Sequence, residues 1–148
     1  QATGDGFAAP LAVALACGRM GCAAAGCCAG IVCPPDAWWR AGAVADHAGI
    51  LRLPAQHIEV VFHAVAAGLL VVAARRGWWP GRRLAAYLTA YAVLRFTLEF
   101  GRGNPPMVAG LTWFQVLAVV LAIIAGVTWW QRTVTGGRSG LSSGDGQP

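Results

Sequence analysis

Arg19 sits near the middle of an apolar run over residues 7–32, and this fixed charge inside a membrane-length segment constrains the chain more than any other feature. About 20 apolar residues suffice to cross the hydrocarbon of a bilayer. A guanidinium cannot escape its charge by losing a proton. At mid-membrane it costs roughly 3 kcal/mol on insertion scales. Such an arginine faces a protein interior or a wet cavity and has an anionic partner. Gly18, Gly21, Gly26 and Gly30 around it leave room for a neighbouring helix or a lipid head group.

A second costly cluster lies downstream. Tyr91, Arg95, Glu99 and Arg102 follow at steps of four, four and three, which puts all four on one helix face. Their surroundings, residues 84–100, are otherwise mostly apolar. Two arginine-bearing helices in one membrane point to an anion that they share.

Composition agrees. The chain is 57% hydrophobic and only 11% charged, whereas soluble domains carry about a quarter charged residues. Net charge is +5 and all 11 basic residues are arginine. They are scattered among apolar runs without the basic stripe and interleaved aromatics of a phosphate-tracking surface, so nucleic acid is not an expected partner. Cys17, Cys22, Cys27, Cys28 and Cys33 all fall within the first apolar segment or at its end. An odd number in one stretch makes no disulfide framework, and no CxxC pair of the zinc type is present. The expected reading is small, buried, helix-compatible residues, with a metal or thiol site as the alternative. No cofactor or metal is expected.

Four apolar segments, residues 7–32, 58–74, 84–100 and 111–130, predict an all-α, polytopic transmembrane bundle of about four membrane helices. Residues 1–132 form the expected membrane domain and 133–148 a disordered cytoplasmic tail. The turn over residues 75–83 holds four arginines and no acid, so it is expected to stay in the cytoplasm with both chain ends, Arg132 and Arg138 included. The connections 33–57 and 101–110 then face outward. Arg95, Glu99, Arg102, Glu59 and His63 fall in the outer half, giving a polar pocket open to that side. Arg19 either pairs with Glu59 or Glu99 to hold helices together or binds the anion of a ligand. Arg95 and Glu99 also form an i,i+4 pair. His63 is a candidate general base, or a hydrogen-bonded residue near an interface.

These residues resemble a known family. Gly18-Arg19-x-Gly21-x4-Gly26-x3-Gly30 is similar to the glycine–arginine signature of phosphatidylglycerol–prolipoprotein diacylglyceryl transferases. Pro54-Ala55-Gln56-x2-Glu59, Tyr91-x3-Arg95-Phe96-x2-Glu99-x2-Arg102 and Gly110-Leu111-Thr112-x2-Gln115 resemble three further family motifs, in the family's order. The resemblance implies a bacterial inner-membrane enzyme that moves diacylglyceryl from phosphatidylglycerol to the thiol of a lipobox cysteine in a prolipoprotein signal peptide. It implies catalytic roles for Arg19, Tyr91, Arg95 and Glu99. It also implies substrate contacts from Arg19, Gly30, Gln56, Glu59, Arg95 and Arg102. Cys22 stands where the family usually has Asn, Cys27 where it has an acid, and Leu53 where it has His. The chain reads as the C-terminal portion of a longer protein, and His63 is the expected substitute for an upstream family histidine. The alternative function is a non-catalytic membrane protein of the same fold that binds anionic lipid or a partner helix.

Overall fold

The computed structural model describes residues 4–105 and 110–138, with side chains through residue 131. It is an all-α membrane bundle of four helices: α1 (Asp5–Ala24), α2 (Ala55–Arg75), α3 (Arg83–Glu99) and α4 (Trp113–Arg138). α1 packs on α2 and α3 on α4, with lighter contacts between the pairs. The core is built from small residues, Ala8 and Ala12 of α1 against Ala67 and Leu70 of α2, closed by Tyr87 of α3. Without water between helices, close backbone approach and good packing drive association in lipid, and alanine permits both. Large apolar side chains point outward instead. Leu69 is 63% exposed and Val61 62%, the reverse of a soluble protein and the surface that acyl chains require.

Three helices are long and apolar enough to cross a membrane: α1, α2 and the Trp113–Gln131 part of α4. α3 has 17 residues, about 25 Å of helix, short of a full hydrocarbon crossing.

The boundaries depart from expectation at two places. α1 stops at Ala24, not near residue 32, because Gly26 turns left-handed (φ 65°). Gly26 N–H then reaches Ala23 O at 3.2 Å, and Cys27 N–H reaches Cys22 O at 3.1 Å. This is the Schellman termination, which satisfies the last carbonyls of a helix. A Cβ at Gly26 would fall 2.1 Å from the His47 ring, so the position is closed to other residues twice over. α4 runs on to Arg138, so residues 133–138 are helical, in place of the disordered tail expected there. Extending an existing helix adds a hydrogen bond per residue without a new nucleation cost, and no proline intervenes. The remaining tail, 139–148, lies outside the described residues.

The released segment leaves the bundle to build a small sheet, which the apolar pattern did not announce. β1 (Val44–Ala45) pairs antiparallel with β2 (Leu51–Arg52). On the other side of β2, Val32 bridges Arg52, Cys33 N–H donates to Leu51 O at 2.8 Å, and Gly30 N–H donates to Leu53 O at 3.1 Å. Asp46 shapes the hairpin. Its Oδ1 accepts the Ala48 and Ile50 amides at 2.9 Å each and its Oδ2 accepts Arg52 Nε at 2.6 Å. The Arg52 hydrogen bond first, then the Ile50 amide, hold this carboxyl below its usual range.

The two ends of the bundle are distinct. At one end Asp5 accepts the Arg83 and Gly81 amides and pairs with the Arg83 guanidinium at 3.8 Å. There Arg82 also lies over the Trp129 ring at 5.4 Å. The start of α1, the arginine turn and the later part of α4 therefore share that end. At the other, Ile31 N–H donates to Gly101 O at 2.8 Å, joining the sheet to the end of α3. The functional residues gather on this second side.

Candidate functional site

Gln56, Glu59 and His63 recur at steps of three and four on α2, so they share one face, and all three are buried. Gln56 Nε2 donates to Cys27 O at 2.7 Å, fastening the end of the α1 turn to α2. Glu59, with no exposed surface, is ion-paired to Arg19 Nε, and Arg102 Nη1 stands 3.7 Å from its other oxygen. One carboxylate thus ties α1, α2 and the turn that follows α3 together. Removing one partner of such a buried pair costs about 3–5 kcal/mol, because the other charge is stranded.

A second carboxylate organises α3 and α4. Glu99 Oε2 accepts Arg95 Nη1 at 2.6 Å. Its Oε1 accepts Asn104 Nδ2 at 2.6 Å and Thr112 Oγ1 at 2.9 Å. Thr112 and Gln115 cap α4 reciprocally: Gln115 Oε1 accepts the Thr112 amide at 2.9 Å, and Thr112 Oγ1 accepts the Gln115 amide at 3.3 Å. This Thr-x-x-Gln capping box fixes where α4 begins. The Arg95 guanidinium lies 4.8 Å from the centre of the Phe114 ring, one residue further into α4.

Between these two carboxylate hubs lies a cavity of about 380 Å³. Arg19, Arg95, Arg102, Tyr91 and Cys28 form its polar side, and Phe114, Leu117 and Leu121 of α4 form an apolar wall. Neither carboxylate lines it: Glu59 and Glu99 stand behind their arginines. Arg19 Nη2 donates to Tyr91 OH at 3.4 Å, and Arg102 Nη2 to Cys28 O at 2.8 Å. Three guanidiniums against two carboxylates leave one positive charge over. The arrangement is a cavity with a net positive side and a hydrophobic flank.

Arg19, Tyr91, Arg95 and Arg102 meet at one cavity. Glu59 and Glu99 are the anionic partners that the mid-membrane charges required. His63 is placed elsewhere. It is fully buried, its Nδ1 lies 2.8 Å from Tyr87 OH, and its ring packs 4.7 Å from that of Tyr91. Tyr91 lines the cavity and His63 does not. Gly30 and Gln56 also lie off the lining. A Cβ at Gly30 would sit 2.6 Å from Leu53 Cβ and 2.8 Å from Gly101 O, so this glycine lets three backbones meet. A Cβ at Gly18 or Gly21 would meet nothing within 4 Å, so close helix packing in α1 runs through its alanines instead. Sequence reasoning passed over Asn104 and Phe114, and named Thr112 only within a motif and Cys28 only among the five cysteines. The Thr-x-x-Gln pattern ahead of an apolar run was a readable signal for Thr112.

The cysteines are not uniformly buried helix residues. Cys33 is buried, but Cys17, Cys27 and Cys28 are exposed. The sulfurs of Cys22, Cys27 and Cys28 all lie within 4.8 Å of one another. Hydrogen bonds to Cys22 and then Cys28 push the Cys27 thiol above its ordinary range.

Comparison with known proteins adds a relationship to this geometry. A family model described as prolipoprotein diacylglyceryl transferase matches residues 1–131. A curated relative from Clostridium perfringens (strain 13 / Type A), phosphatidylglycerol–prolipoprotein diacylglyceryl transferase 2, is 27% identical over 125 residues. That match covers 79% of this chain and 46% of the relative, so the chain spans about half the relative's length. No solved structure matches.

Proposed function

The chain belongs to the prolipoprotein diacylglyceryl transferase family, and on that premise we propose that its arginine-lined cavity takes the phosphate of phosphatidylglycerol for diacylglyceryl transfer to a prolipoprotein cysteine. One observation carries the reading: Arg19, Arg95 and Arg102 surround the cavity, while the carboxylates that pair with them stay out of it. The single surplus positive charge suits a phosphodiester. The α4 wall of Phe114, Leu117 and Leu121 suits an acyl chain.

In the reaction a thiolate sulfur attacks the glyceryl carbon. The S–C bond forms as the C–O bond breaks, and glycerol phosphate leaves with the electron pair. Charge builds on the phosphate oxygens, where fixed guanidiniums stabilise it without reorganisation. Arg19 is held in place by Glu59 and Tyr91, and Arg95 by Glu99 and Phe114, so both forks are preorganised. Glu59, Gln56 and Gly30 act by positioning: Glu59 sets Arg19, while Gln56 and Gly30 hold the turn that carries Cys28. In this reading the protein sits in a bacterial inner membrane, with the cavity toward the outer face and the arginine turn and C-terminus in the cytoplasm.

A second reading, lipid binding without transfer, draws on one observation: no histidine or carboxylate lines the cavity among the described residues. Two measurements separate the readings. Phosphatidylglycerol should bind the purified chain in nanodiscs and lose at least about tenfold in affinity on Arg95→Ala, the worth of one charged hydrogen bond. Unchanged binding would reject the cavity as the phosphate site. Growth of a transferase-depleted cell on the full-length gene would establish transfer; binding without rescue favours the second reading.

A further inference from the structure

We propose that Cys22, Cys27 and Cys28 hold a zinc-class d10 cation through three thiolates, with a fourth position open to an external thiol. The cluster is a product of the helix ending. In a Schellman termination the third residue from the helix end and the second residue beyond the cap come into contact. Here those two residues are Cys22 and Cys27. Cys28 then takes a left-handed conformation itself (φ 60°), rare for a side-chain-bearing residue. Left-handed residues on both sides of Cys27 fold the chain back, so the third thiol returns to the first two.

The sulfur spacing fits a cation better than a disulfide. A tetrahedral ion with metal–sulfur bonds of about 2.3 Å places its sulfurs about 3.8 Å apart. The three sulfurs already lie within 4.8 Å of one another, so closing on an ion needs shifts of an ångström or so. Whichever pair oxidised, one thiol would be left over. Soft thiolates select zinc or monovalent copper over hard cations. No other Cys, His, Asp or Glu donor joins the group among the described residues. Since structural zinc sites use four protein ligands, three leave the open position typical of reactive ones.

The cluster adjoins the cavity, because Cys28 both belongs to it and lines the arginine site. This inference rests on the transferase reading for what the ion does there. An acceptor thiol that binds the ion gives its proton to water, since coordination deprotonates thiols outright. The bound sulfur then forms the S–C bond as the lipid's C–O bond breaks. The thioether product, with no charge left to offer, is a weaker ligand and departs. The cation would thus give the acceptor thiol a route to a thiolate.

The test uses the full chain, reduced and metal-free, in detergent. Titration with Co(II) should give one tetrahedral cobalt per chain with thiolate charge-transfer absorption, displaced by Zn(II). Zinc at ten times its dissociation constant should slow alkylation of Cys22, Cys27 and Cys28 about tenfold, leaving exposed Cys17 as reactive as before. Adding a short peptide with one free cysteine should shift the cobalt ligand-field bands, and its S-methylated form should not. No stoichiometric cobalt, or protection that spares the three cysteines, overturns the site. Bands indifferent to the free thiol overturn the open position. Phosphatidylglycerol binding measured on the same preparation keeps the two ideas apart. Its loss beside an intact metal site rejects the lipid reading, and its presence without metal uptake rejects only this inference.

Discussion

Arg95 holds Glu99 with one nitrogen and lies over Phe114, and on the proposed function it must still offer a planar edge to phosphate. Lysine keeps the charge but cannot serve several partners from a flat fork. Arg95→Lys should therefore weaken phosphatidylglycerol binding about tenfold or more, a loss of at least one charged hydrogen bond. Arg75→Lys, at the far end of α2, should leave it within experimental error; titration calorimetry in nanodiscs reads both. Gly30 is constrained by space alone. Gly30→Ala puts a methyl against two carbonyl oxygens and Leu53, and overpacking of this kind costs about 1–3 kcal/mol. A lower melting temperature is the expected result, and an unchanged one would mean that the sheet can shift aside. At this scale the sequence was legible wherever a charge stood in an apolar run, since Arg19, Glu59, Arg95 and Glu99 all needed partners and found them in one another. At His63 it left two readings open, a general base or a hydrogen-bonded residue; the ring pairs with Tyr87 OH at 2.8 Å and packs against Tyr91, which lines the cavity.

All four helices were readable from hydropathy, but the ends that shape the candidate site were not. The Gly26 turn sits inside an unbroken apolar run, and its cause is backbone handedness, which hydropathy does not register. The sheet that follows is equally hidden: strands of two residues carry no alternation to detect. Asp46 is its fastener, and its lowered pKa sets a pH response. A carboxyl with a depressed native pKa contributes stability above its unfolded value of about 3.9 and loses it as pH falls through the native value. Hydrogen exchange at the Ala48 and Ile50 amides should be slow near neutrality and speed up below about pH 4 beyond the intrinsic trend. In Asp46→Asn the protection should be weaker throughout and free of that acid step. An acid step that persists in the variant would assign it to another group.

Across the whole molecule, the bundle has an arginine turn joined to the α1 start at one end and the arginine-lined cavity toward the other. Single-cysteine labelling in a background lacking the native thiols should find residue 77 reachable only from the cytoplasm and residue 46 only from outside. The reverse would place the cavity on the wrong side for an exported acceptor. The inventory of three guanidiniums and two carboxylates then has a kinetic consequence. On the proposed function, a phosphodiester would bring one negative charge and leave the site electroneutral. The departing phosphomonoester would carry about 1.5–2 at neutral pH, and fixed guanidiniums attract it more strongly than the single charge they first received. The clamp that eases departure of the leaving group from carbon would thus slow its departure from the protein. Glycerol phosphate added from solution should accordingly compete with phosphatidylglycerol more strongly as rising pH completes its second ionisation, and competition that weakens with pH would contradict the clamp.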